Sequence, residues 1–168
     1  MSKYSVPLDS DANFHPIYRG EYPFRTKKTI TFAGGTTDAI GDDGGALDPF
    51  NIFIVTGLIR VRLMAYCTTD LTGANGTVCV GISGATTLFM PVETATQIDS
   101  GQLWVNDAAN GTSIIIGEEQ AAVDNLPEYL LAGTNIIGTI GTADVTGGVL
   151  DFYAEWCPIS DDANLVAA

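Results

Sequence analysis

The chain has 168 residues, enough to bury a sizeable core in one domain, and a formal net charge of −13. Because phosphates and anionic lipids repel such an acidic chain, we expect neither nucleic acid nor a membrane surface as a partner. The sequence has no apolar run of about 18 residues and no apolar signal-peptide core at its N-terminus. This predicts a protein that is made in a cytoplasm and is either kept there or released as part of an assembly.

The charges are unevenly distributed along the chain. All seven basic residues lie in the first 62 positions, and the 106 residues that follow contain thirteen Asp and Glu. Residues 1–28 carry a net charge of +2, whereas residues 29–168 carry −15. We interpret this as a small arm that contacts a partner, attached to a body that like-charge repulsion keeps soluble.

Residues 1–27 are predicted to form an extended N-terminal arm. Pro7, Pro16 and Pro23 interrupt any helix there. A disordered terminus is one interpretation, but five aromatic residues in 27 are many for a disordered segment. We therefore favour an arm that becomes ordered against a partner or a neighbouring subunit.

From residue 28 onward the sequence alternates short apolar runs with turns rich in Gly, Asp and Ser. Strands are predicted at residues 28–33, 49–57, 58–67, 77–83, 86–92, 102–106, 112–117, 135–141 and 149–159. Residues 118–133 are the one place where a short helix is predicted. Together these elements predict an all-β domain over residues 28–168, an antiparallel β-sandwich or jelly roll.

Two of these strands show clear alternation with a period of two. In the strand at 58–67, Ile59, Val61, Leu63 and Ala65 are predicted to face inward. In the strand at 149–159 the inward set is Leu150, Phe152, Ala154 and Trp156. If the two strands are neighbours, Arg60 and Arg62 would meet Asp151 and Glu155 across them.

No residue pattern indicates a catalytic or metal site. His15, the one histidine, lies in the arm, where no rigid scaffold would hold it. The cysteines Cys67, Cys79 and Cys157 form no C-x-x-C pair and are predicted to be buried or half-buried free thiols. The Asp-rich loop (Asp38, Asp42, Asp43 and Asp48) lacks the spacing of a calcium loop and is predicted to be solvated surface. The carboxylate pairs Glu118 with Glu119 and Asp151 with Glu155 are ascribed to chance in so acidic a chain.

Three stretches of the chain carry a further signal: residues 69–91 (TDLTGANGTVCVGISGATTLFMP), 98–106 (IDSGQLWVN) and 136–160 (IIGTIGTADVTGGVLDFYAEWCPIS). They resemble head-associated virion proteins of tailed bacteriophages. The resemblance covers roughly residues 29–160 and lies in strand and turn strings. It implies a decoration, or cement, protein without enzyme activity or cofactor. Such a protein sits on the capsid exterior at contacts between major capsid proteins, often as a trimer.

Aromatic and basic residues near the N-terminus are the predicted contacts with the capsid or with another subunit, because such side chains carry much of the binding energy at interfaces. They are Phe14, Tyr18, Arg19, Tyr22, Phe24, Arg25, Lys27 and Lys28. The strand and turn motifs are equally compatible with a tail or fibre component that acts as a receptor- or carbohydrate-binding module. That function is the alternative prediction.

Overall fold

The computed structural model describes residues 24–36, 38–106 and 126–168, and the backbone of residues 107 and 112–116. These residues form two antiparallel sheets, so the prediction of an all-β sandwich is confirmed. The jelly roll and the extended arm stay predictions. In the described part of the chain, none of the helices has the length and apolarity needed to span a membrane.

In the part of the chain that the structure describes, eleven strands and one 3₁₀ turn (Ala95–Gln97) follow one another. The strands are β1 (Phe24–Thr31), β2 (Phe50–Thr56), β3 (Leu58–Thr72), β4 (Thr77–Ile82), β5 (Ala85–Thr94), β6 (Leu103–Asp107), β7 (Thr112–Ile116), β8 (Tyr129–Ala132), β9 (Ile136–Gly141), β10 (Gly147–Pro158) and β11 (Asn164–Ala167). The helix predicted over 118–133 is wrong where the structure describes it, because Tyr129–Ala132 pairs with Leu58–Val61 as a strand. The rest of that helix prediction, residues 118–125, lies outside the described residues.

The strands are divided between two sheets. Sheet A has the order β1-β10-β3-β6-β7, with β8 paired to the start of β3, and sheet B has the order β11-β2-β9-β4-β5. Pairing is nested, since the early strands β1 and β2 lie beside the late strands β10 and β9. Neighbouring strands along the chain therefore often lie in opposite sheets and bury their apolar faces against each other.

The core between the sheets follows the alternation that the sequence predicts. Both sets of predicted inward residues on β3 and β10 are buried, and the registers of these two strands place them side by side. Sheet B contributes Phe53, Val80 and Ile136 from the other side. Phe50 lies over Gly138, where a Cβ atom would come within 2.2 Å of the ring, so glycine makes room for the aromatic side chain.

The loops at one end of the sandwich are tied together by backbone hydrogen bonds. The β1–β2 loop contacts the β9–β10 loop through Gly34 N–H, which donates to Val145 O at 2.9 Å, and through Val145 N–H, which donates to Gly41 O at 2.8 Å. A Cβ atom on Gly41 would lie 2.3 Å from Val145 O. This close approach explains why glycine, with a positive φ of 116°, occupies the position.

Candidate interaction surface

The outer face of sheet A carries most of the positive charge in the described part of the chain. Of the basic residues that the structure describes, Arg25, Lys27, Arg60 and Arg62 lie on this face, and Lys28 points toward sheet B. Strands β1, β10 and β3 set the positions through their registers. The result is a ladder of cations, carboxylates and tyrosines on one sheet, which we call the sheet A face.

Arg62 and Glu155 form an ion pair with two hydrogen bonds on this face. The two residues are direct partners in the β3–β10 register. Arg62 Nε and Nη2 both donate to Glu155 Oε2, at 2.7 and 2.6 Å. This half of the predicted cross-strand pairing is confirmed.

The other half of that pairing prediction is wrong. Asp151 lies opposite Tyr66, whereas Arg60 lies opposite Cys157, so the two charges are several rows apart. Arg60 instead approaches Glu128, with Nε 3.8 Å from Oε2. The partner of Asp151 comes from β1, a strand that the sequence prediction began only at residue 28.

Asp151 is the one described charged residue that is buried, with 7% of its surface exposed. Lys27 Nζ lies 2.7 Å from Asp151 Oδ2, and Thr29 Oγ1 donates to Oδ1 at 2.5 Å. Burial by itself would raise the pKa of Asp151, but the hydrogen bonds from Lys27 and Thr29 and the charge of Lys27 hold it below the ordinary value. The hydrogen bond with Asp151 raises the pKa of Lys27.

Replacing Lys27 by methionine should destabilise the protein at neutral pH and have a smaller effect in acid. In the wild type the Asp151 contribution is present above the ordinary carboxyl pKa of 3.8 and is lost as the pH falls through the lowered folded-state pKa. Without Lys27, burial opposes ionisation of Asp151, so the loss of stability grows from about pH 3 to about pH 7. Urea unfolding of both proteins at the two pH values measures this difference.

The variant Lys27→Arg is the matched control, because it keeps the positive charge and should retain the wild-type pH dependence. If Lys27→Met lowers the free energy of unfolding equally at both pH values, the lysine acts only by packing.

The remaining contacts of this face involve exposed rings and an exposed leucine. Arg25 lies over the Tyr153 ring, with Cζ 4.7 Å from its centroid. Tyr66 is 38% exposed and Leu130 is 65% exposed. Tyrosine and arginine are enriched at protein interfaces, so this face is a suitable surface for contact with another protein.

The side of β1 that faces sheet B joins the two sheets. Phe24 stacks on Trp156 with centroids 4.9 Å apart, and Trp156 Nε1–H donates to Thr26 Oγ1 at 3.0 Å. Thr26 Oγ1 in turn donates to the Leu165 carbonyl at 3.3 Å, and Lys28 Nζ hydrogen-bonds to the main-chain oxygen of Ala168. The first and last strands are therefore linked across the sandwich.

The structure describes four of the eight predicted contact residues. Phe24, Arg25, Lys27 and Lys28 belong to β1 and interact within the domain, because the strand begins at Phe24, four residues before the predicted domain boundary. Phe14, Tyr18, Arg19 and Tyr22 lie outside the described residues, as do His15, Glu118 and Glu119. The sequence analysis missed Tyr66, Leu130 and Tyr153, which only the β3–β10 and β3–β8 registers bring together.

Carboxylates of the Asp-rich loop accept hydrogen bonds from backbone amides. Asp48 Oδ1 accepts a hydrogen bond from Ile140 N–H at 2.9 Å, and Asp42 Oδ1 accepts one from Gly35 N–H at 3.2 Å. Asp43 N–H donates to Asp144 Oδ1 at 2.9 Å. Within the described residues no three His, Cys, Asp or Glu side chains converge as metal ligands would.

The prediction of three free and buried cysteines is confirmed. Burial raises the pKa of the Cys67 and Cys79 thiols, which disfavours the reactive thiolate. Asp151 and Glu155 lie four residues apart on one strand, about 13 Å along the sheet, which is wider than the roughly 5–9.5 Å that glycosidase carboxylates need. Each of the two also binds a cation.

We find no protein-family model, no curated protein and no solved structure that matches this chain.

Proposed function

We propose that this chain is a virion structural protein that binds the exterior of a tailed-bacteriophage capsid. In this role it stabilises contacts between major capsid proteins, as a decoration or cement protein, and it catalyses no reaction. Its partners are the major capsid protein and other copies of itself, in the trimer that the resemblance implies. The observation that carries the proposal is the sheet A face, where the cations that β1 and β3 present outward lie beside exposed Tyr66 and Leu130.

A rigid face of this kind suits a protein that binds a shell. Its arginines are held by Glu155, Glu128 and the Tyr153 ring before a partner arrives, so less side-chain entropy is lost on binding. The surrounding acidic body disfavours contact with packaged nucleic acid. Many copies on one particle would add individually modest contacts into a large stabilisation.

The matched substitutions Leu130→Glu and Leu47→Glu test the proposal in assembled virions. Leu130 is on the sheet A face, whereas Leu47 lies in the β1–β2 loop and is also exposed. We expect Leu130→Glu to lower the number of copies per particle at least about tenfold, because it buries a charge at the contact, and Leu47→Glu to change it little. Quantitative mass spectrometry of purified particles gives the copy number.

A truncation that tests the predicted arm should leave β1 complete. Removing residues 1–23 leaves the strand complete, whereas removing 1–27 would also delete half of it. Lower occupancy of the truncated protein on particles would support an arm contact. Full occupancy of both the truncated protein and Leu130→Glu would contradict the proposal.

The alternative is a tail or fibre component that binds a receptor or carbohydrate. The observation in its favour is that Tyr66 and Tyr153 lie on one outer face, where their rings could stack on sugars. A copy number of a handful per particle, together with glycan binding that is lost in Tyr66→Ala, would support it. Hundreds of copies per particle would favour the capsid.

A further inference from the structure

The strands of sheet B are nearly free of charge, which is unusual in a chain of net charge −13. The five strands hold one charged side chain, Glu93. By contrast, β1, β3 and β10 of sheet A hold eight. Glu93 is the register partner of buried Val78, so it lies on the core side of the sheet. Among the described strand residues, the outer face of sheet B therefore presents only uncharged side chains.

This outer face also exposes aliphatic side chains. Ile54 on β2 and Val166 on β11 are direct register partners, and they are 41% and 44% exposed. The adjacent pair on the same face is Thr56 with Asn164. Depletion of charge, together with exposed apolar side chains, is typical of the buried centre of protein interfaces. We call this surface, formed by β11, β2, β9, β4 and β5, the sheet B face.

The size of the sheet B face is adequate for a weak interface. Five strands about 4.8 Å apart and about 20 Å long give roughly 500 Å² of flat area. Two such faces together cover about 1,000 Å², near the lower limit for a specific protein–protein interface.

The charge distribution favours a second copy of the chain as the partner that binds the sheet B face. Two copies repel each other through a net charge of −13 each, and cations of the described chain lie mainly on sheet A. In a contact through the sheet B face, the described strand residues bring no carboxylate of one copy against a carboxylate of the other. Two antiparallel sheets can also pack face to face about 10 Å apart.

We propose that two copies of this chain associate through their sheet B faces, as a two-fold dimer in which Ile54 and Val166 lie at the contact. Because the same patch is used by both subunits, the contact closes on itself as a pair. This two-fold contact is proposed for the isolated protein, whereas the trimer proposed above is the form on the capsid. The dimer is therefore independent of the proposed capsid binding.

Sedimentation of the full chain over a range of concentrations tests this dimer. We expect a monomer of 17.7 kDa in equilibrium with twice that mass, with a Kd on the order of 10 μM given the small area. Raising the salt from about 0.05 to about 0.5 M should strengthen association roughly threefold or more, because it screens the repulsion between the acidic bodies. Ile54→Glu and Val166→Glu should each raise the Kd at least about tenfold.

Leu47→Glu is the matched control and should leave the Kd within about twofold of the wild type. If either face variant fails to fold by circular dichroism, the methyl resonances of Ile54 and Val166 in the wild type provide a second measurement, and they should shift on dilution. A monomer up to about 1 mM, association weakened by salt, or an oligomer insensitive to both face variants would each overturn the proposal. Salt weakening would indicate instead that cations of sheet A meet carboxylates of another copy.

Discussion

Replacing Phe152 by alanine is expected to lower the free energy of unfolding by about 3–5 kcal/mol. Phe152 is fully buried at the centre of β10, the strand that pairs with both β1 and β3. Its register partners are Lys28 and Ala65. The side chain of Ala65 is too small to fill the space that the ring would leave, so most of the cavity should persist. Urea unfolding followed by tryptophan fluorescence measures the change.

Tyr153→Ala is the matched control for this prediction. Tyr153 is the next residue on the same strand, but it faces outward, and its described ring contacts are with Arg25 and Lys27. Losing such exposed cation–π contacts costs about 0.5–1 kcal/mol. If the two variants lower the free energy of unfolding by similar amounts, the core between the sheets is not the main source of the domain's stability.

Replacing Gly41 by alanine is expected to cost more than about 2 kcal/mol, through two separate effects. The positive φ of 116° is a conformation that alanine rarely adopts. The added Cβ would also lie 2.3 Å from Val145 O, a backbone atom that cannot move without breaking its hydrogen bond from Gly34. The β1–β2 loop would then separate from the β9–β10 loop.

Gly44 provides the comparison, because it lies in the same loop with a positive φ of 69° and has no atom within 4 Å of a built Cβ. Gly44→Ala carries the conformational cost alone, about 1–2 kcal/mol. Thermal unfolding of both variants separates conformation from close approach. An equal loss of stability in Gly41→Ala and Gly44→Ala would show that the close approach to Val145 adds nothing to the cost of the substitution.

Alternation along β3 and β10 was sufficient to predict which of their residues form the core. Each of these strands is long, and a period of two that continues over many residues is typical of a strand with one buried face. The four-residue strand β8 is too short to show alternation and follows a stretch rich in Glu and Ala, which favours helix. Pairing with Leu58–Val61 decides its conformation, and such a distant contact leaves no local signal.

The candidate surfaces were less predictable than the core. The aromatic and basic residues before residue 28 suggest an arm, but the stacking of Phe24 on Trp156 depends on β10, a strand near the other end of the chain. The partner of Asp151 could not be predicted for the same reason. The uncharged sheet B face is visible in the sequence only after its strands have been assigned to one sheet, and that assignment depends on the nested topology.

The link between β1 and β11 has a consequence for how copies of the protein meet. An exposed strand edge offers a row of unpaired amides and carbonyls to which another chain can add, and this leads to aggregation. Here Thr26 occupies the Leu165 carbonyl of β11, and Lys28 occupies the main-chain oxygen of Ala168 directly after it. Strand β1 itself carries Arg25, Lys27 and Lys28. Lysine-rich edges resist the addition of a further strand. On this side of the molecule, a concentrated solution would therefore bring subunits together without fusing their sheets into a continuous fibre.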